Sequence, residues 1–111
     1  MNITADINII IKKIGNLKEQ KIKEVINAAL QGQLQLSIKL LNDLIKEYGL
    51  SGQNIIKNIY RELYDLDIQE QLKIELSKLL AEFEYRLSQG GTEEIQLQAL
   101  LAKIVLLQDS K

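Results

Sequence analysis

Cysteine, histidine, proline and tryptophan are all absent from this chain of 111 residues. Without histidine or cysteine there is no Cys/His zinc site, no thiol nucleophile and no Ser-His-Asp triad, so most hydrolytic and redox chemistry is excluded. A chain without cysteine needs no oxidising compartment, and a reducing, cytoplasmic one fits it. A surplus of positive charge is missing as well. Lys and Arg number 14 against 15 Asp and Glu, a net charge of −1, whereas a stand-alone nucleic-acid binder needs a basic excess. No apolar run approaches the ~18 residues of a membrane span. The N-terminal stretch carries Asp6 early and its lysines late, the reverse of a signal peptide.

What is present is aliphatic. Hydrophobic residues make up 46% and aromatics 5%, so the core is expected to be built from Leu and Ile. Size scaling gives roughly 6,000 Å² of folded surface against about 18,000 Å² unfolded, enough burial for one stable domain. With no proline, the six glycines and the short capping residues are the punctuation, and between them apolar residues recur at three-and-four spacing.

Residues 4–14 put Ile3, Ile7, Ile10 and Ile14 on one helical face, with Thr4 as N-cap and Gly15 just past the end; the β-branched run also allows a strand. A second helix over 17–31 has Ile22, Val25, Ile26, Ala29 and Leu30 inward and stops at Gly32. A third, over 33–48, carries Leu34, Ile38, Leu41, Leu44, Ile45 and Tyr48, widened by Leu36 and Leu40, and ends at Gly49. These two should form an antiparallel hairpin. Ser51 caps a fourth helix, with Ile55, Ile56, Ile59, Leu63 and Leu66 buried, ending near Asp67. A fifth, over 69–88, aligns Leu72, Leu76, Leu79, Leu80, Phe83 and Leu87, and Gly90 and Gly91 stop it. Thr92 opens the last helix, with Glu93 and Glu94 at its electropositive end. The fold class is therefore all-α: a compact bundle of five helices, or six if the N-terminal segment stands alone, joined by short glycine turns.

The last helix is apolar on nearly its whole circumference. Such a helix is either central or buried by its own chain on one side and by a partner on the other. The second alternative predicts a subunit contact, with Leu97, Leu101 and Ile104 as its outward-facing candidates. The only two arginines each follow a tyrosine, and Tyr60, Arg61, Tyr85 and Arg86 are residue types enriched in protein interfaces. The carboxylate pairs Asp65/Asp67, Glu82/Glu84 and Glu93/Glu94 read as solvated helix faces, since a bundle di-metal site would need histidine. No phosphate-binding loop occurs. Lys12, Lys13, Lys18, Lys21 and Lys23 are interleaved with Glu19 and Glu24, again a solvated face. No catalytic, cofactor-binding or metal-binding residue is expected.

The stretches Glu47-Tyr48-Gly49-Leu50-Ser51-Gly52, Ile59-Tyr60-Arg61-Glu62, Glu82-x-Glu84-Tyr85-Arg86-Leu87 and Ile95-Gln96-Leu97-Gln98-Ala99-Leu100-Leu101-Ala102 carry a family resemblance. With Ala28-Ala29-Leu30-x-Gly32, they resemble in order and spacing the C-terminal collar domain of the replication factor C small subunit, part of the archaeal and eukaryotic sliding-clamp loader. The likeness runs from about Ile22 to Leu107. It departs at Ile68-Gln69-Glu70, where the family often has proline, and at Gly32-Gln33-Leu34, where an acidic residue and an aromatic are common. The resemblance implies an oligomerisation domain, five of which pack as a ring holding ATPase modules over the clamp. Its partners would be the other clamp-loader subunits, small and large, with PCNA and primer-template DNA met only indirectly and no membrane. ATP and magnesium would belong to N-terminal modules lacking here, so the segment itself would be no enzyme. Residues 1–16 would be an N-terminal helix or a connection to a lid domain, 17–108 the collar domain and 109–111 a tail. The setting would be the archaeal cytoplasm, or the nucleus of a eukaryote. The alternative is an unrelated helical adaptor that takes a partner helix in an apolar groove.

Overall fold

Five helices account for almost all of the computed structural model, which describes residues 3–109: α1 (Ile3–Leu30), α2 (Leu34–Tyr48), α3 (Gly52–Leu63), α4 (Glu70–Ser88) and α5 (Glu93–Asp109). There is no strand among the described residues. The boundaries follow local chemistry. At the end of α1 the Gln33 N–H donates to the Ala28 carbonyl at 2.9 Å and the Gly32 N–H to Ala29 at 3.0 Å. This crossed pair requires a left-handed residue, and Gly32 supplies it at φ 81°. Gly90 ends α4 with the same motif. The Ser51 hydroxyl accepts from the Asn54 N–H at 3.2 Å, the expected cap of α3. α3 ends at Leu63, one turn before the position expected for it.

The N-terminal segment departs from expectation. α1 is one continuous helix that passes through Gly15 and the position of Thr4 without a break, so there is no sixth helix and no strand. Gly15 does not adopt a left-handed conformation, and continuing the helix satisfies carbonyls that a turn would leave open. The interruption costs only about 1 kcal/mol relative to alanine. Nothing lies within 4 Å of the place a Cβ would take there. Gly15→Ala is therefore expected to stabilise the chain by about 0.8–1 kcal/mol. Urea denaturation checks this, and a loss of stability would mean that the helix does need to break at that point.

The core gathers Ile22, Val25, Ile26 and Ala29 from α1, Leu41 and Leu44 from α2, and Ile55, Ile56, Ile59 and Leu63 from α3. It is completed by the α4 stripe ending in Phe83 and Leu87 and by four residues of α5. α1 and α2 form the expected hairpin, tied by the buried Ser37 hydroxyl, which donates to the Val25 carbonyl at 2.8 Å. α5 touches all four other helices and is the central element.

The N-terminal half of α1 leaves the bundle. Ile7, Ile9, Ile10, Ile11 and Leu17 are exposed, while the side chains of Ile3 and Ile14 lie outside the described residues. A helix of 28 residues is about 42 Å long, and it stretches the molecule to 56 Å along its longest axis. The radius of gyration, 15.1 Å, accordingly exceeds the roughly 13 Å of a compact chain of this length.

Candidate subunit interface

α3 and α4 pack side by side, joined by the turn over residues 64–69. Their outer faces leave a groove of about 340 Å³. α3 contributes Ile56, Lys57, Tyr60 and Arg61 to it, and α4 contributes Ser77, Leu80, Ala81 and Glu84. Its apolar floor exists because Ile56 and Leu80 are core residues seen from outside and because Ser77 and Ala81, one turn apart, are too small to fill the space. The depression continues past Lys57, Ala81 and Glu84 to Tyr85 and Ser88.

Three of the sequence candidates thus meet on one surface. Tyr60 and Arg61 line the groove on α3, and Tyr85 stands at its far end on α4. Tyr60 is braced by Tyr64, with ring centroids 5.8 Å apart, edge to face, and hydroxyls 3.3 Å apart. That hydrogen bond, with the nearby Tyr60 hydroxyl and slight desolvation, holds the Tyr64 phenol above its ordinary pKa. Lys57 and Arg61 on one rim and Glu84 on the other form no ion pair within 4 Å among the described residues. Unpaired charges around an apolar floor resemble the polar rim and dry centre of protein contacts.

Arg86 is elsewhere. Its guanidinium bonds to the Glu82 carboxylate at 2.6 Å and lies 4.7 Å from the centre of the Phe83 ring, closing over the core. The three α5 candidates are corrected more sharply. Leu97, Leu101 and Ile104 are 2%, 1% and 0% exposed and face inward. α5 is surrounded by four helices rather than one hairpin, and this consumes most of its circumference. The outward apolar residues of α5 are Ile95 and Leu106.

Other charges expected to be solvated are engaged. The Gly52 N–H donates to the Glu93 carboxylate at 3.1 Å, placing an anion at the positive end of α3. A Cβ on Gly52 would meet the Leu87 and Glu93 side chains at 3.1–3.3 Å, so α3, α4 and α5 come together tightly at this junction. Lys21 pairs with Glu47, a hydrogen bond that raises the Lys21 pKa. Lys23 stands 3.5 Å from the buried Glu62. Sequence reasoning missed Lys57, Ala81 and Glu84. The Ser77-x-x-x-Ala81 spacing was the available signal, since two small residues one turn apart leave a groove.

Comparison with known proteins bears on this surface. Residues 17–103 match the family described as replication factor C C-terminal domain. The chain is 41% identical over 97 residues to the replication factor C small subunit of Sulfurisphaera tokodaii, covering 86% of this chain and 30% of that protein. It is 39% identical over 99 residues to that of Saccharolobus solfataricus, covering 87% and 30%. The match to that of Methanocaldococcus jannaschii is 36% over 102 residues, covering 92% and 6%. The chain therefore spans a third or less of the length of these curated relatives.

Proposed function

The chain belongs to the replication factor C C-terminal domain family, and on that premise we propose that it is an assembly module of a sliding-clamp loader. Its task is to join small and large loader subunits by helix packing, as one segment of a collar. ATPase modules outside this segment then load PCNA onto primer-template DNA during replication, and clamp and DNA are met only through the assembled complex. The segment performs no catalysis. Nucleotide and magnesium belong to the ATPase modules, and the setting is the cytoplasm of an archaeon. The alternative of an unrelated adaptor loses its premise with the family match.

The observation that carries the reading is the α3/α4 groove. There an interface-type cluster of Tyr60, Arg61 and Tyr85 surrounds an apolar floor formed by Ile56 and Leu80. The tagged chain is expected to capture the full-length replication factor C subunits of its own source. Tyr60→Ala combined with Arg61→Glu should weaken that capture about tenfold or more, since buried Tyr and Arg contacts dominate interface energies. Both residues are exposed on α3, so the double variant should keep its helicity. Undiminished capture by the folded variant, or none by the folded parent chain, overturns the reading.

A further inference from the structure

Helix α1 leaves the bundle at a definite point. Ile22 is its first buried residue, and every described side chain N-terminal to it is exposed or half-buried. Ile7, Ile10 and Ile11 lie five whole helical turns before the buried Val25, Ala28 and Ala29, so the uncovered half of α1 carries its buried face onward past the end of the bundle. Because α1 is unbroken through Gly15, this arm is a lever. Ile3 lies about 28 Å from Ile22 along the helix axis, and a tilt of about 10° at Ile22 carries the far end through about 5 Å. Where the arm points is therefore decided by what holds the helix at residues 21–23.

Three consecutive residues do so. Ile22 faces the core, and Lys21 and Lys23, each about 100° round the helix from it, emerge on its two flanks. Lys21 pairs with Glu47 and stands 5.6 Å from the centre of the Tyr48 ring. Lys23 stands 3.5 Å from Glu62. Among the described residues these two ion pairs join different helices, whereas Lys39–Asp43, Glu75–Lys78 and Glu82–Arg86 each lie within one. Both acceptors occupy the same unfavourable place. Glu47 is the second-last residue of α2 and Glu62 the second-last of α3, at the negative end of the helix dipole, where a carboxylate is disfavoured. Glu62 is buried as well, and a buried carboxylate requires a partner. Each helix end thus calls for a cation from outside itself, and α1 supplies both, one from each flank.

We infer that Lys21, Ile22 and Lys23 form an electrostatic clasp that sets the direction in which the arm of α1 leaves the bundle, the two lysines acting as positioning residues against the C-terminal ends of α2 and α3. One pair alone would leave the helix free to swing toward it about Ile22, whereas two on opposite flanks oppose each other. Glu62 adjoins Arg61, so the clasp also holds the isoleucine stripe at a fixed angle to the helix that carries one wall of the groove.

The test reads the arm's direction as a distance. The chain has no native cysteine, so nitroxide labels at Asn8→Cys on the arm and Gln53→Cys on α3, both exposed sites, report it by double electron–electron resonance. Labels at Gln35→Cys and Gln53→Cys, both on the bundle, serve as the control. The otherwise unchanged chain should give one narrow distance distribution for each pair. Lys21→Glu, which sets two carboxylates side by side, and Lys23→Met, which keeps helix propensity, should each at least double the width for the arm pair and leave the control pair as it was. Adding Glu47→Lys to Lys21→Glu rebuilds the first ion pair with its charges exchanged and should restore the narrow distribution.

A parental width in either single variant, a control pair that broadens along with the arm pair, or a charge-exchanged variant as broad as Lys21→Glu alone overturns the inference. The clasp concerns the geometry of this chain and does not depend on the reading of the groove. A chain that captures loader subunits through Arg61 but keeps its arm fixed without the lysines retains its assembly role and loses only the clasp.

Discussion

Leu101→Glu is expected to leave the chain unfolded at 25 °C, even though Leu101 lies on the helix whose sequence most suggested an outward face. The side chain is 1% exposed, and α5 packs against every other helix. Losing a buried leucine costs about 2–5 kcal/mol. A carboxylate with no partner in that position adds several kcal/mol more, whether it stays charged or takes up a proton. The sum is comparable with the ~5–15 kcal/mol that holds a domain of this size together. Far-ultraviolet dichroism with urea denaturation measures the outcome. Leu106→Glu on the exposed side of the same helix should change stability by less than about 0.5 kcal/mol. A folded Leu101→Glu protein with near-parental stability would mean that α5 is not central.

Phe83→Ala should produce the next largest loss, about 3–5 kcal/mol. Phe83 is the only phenylalanine in the chain and is wholly buried. Arg86, held by Glu82, lies over its ring, so truncation opens a cavity and removes the surface on which the guanidinium rests. Helix α4 cannot collapse into that space without dislodging Leu80 and Leu87, which flank it in the core. The melting temperature should fall by roughly 15 °C or more, and Phe83→Leu, which keeps most of the apolar contact, by a fraction of that. Equal losses for the two variants would show that retained apolar bulk recovers nothing at this position, against the cavity account.

Much of the bundle was legible in the residue order. The ends of α2, the cap at Ser51, the apolar stripe of α4 and the turns at Gly32 and Gly90 all rest on interactions within about five residues, as do the hydrogen bonds that define them. The site was legible in part. Tyr60, Arg61 and Tyr85 stood out by residue type, but Arg86, similar in type and neighbourhood, was taken up by Glu82 and Phe83. The burial of Ser37 and Glu62 left no mark in the apolar pattern, because each is satisfied by a partner on another helix.

By itself, then, the sequence determined that the chain is helical, where its later turns fall, and which chemistries its missing residues forbid. Only the tertiary structure decided that Gly15 interrupts nothing, that Leu97, Leu101 and Ile104 point inward, and that an isoleucine stripe on α1 is left uncovered. The physical reason is range. Helical hydrogen bonds and caps act over a few residues and are written in local order, whereas burial depends on how many distant helices surround a side chain, and α5 is surrounded by four.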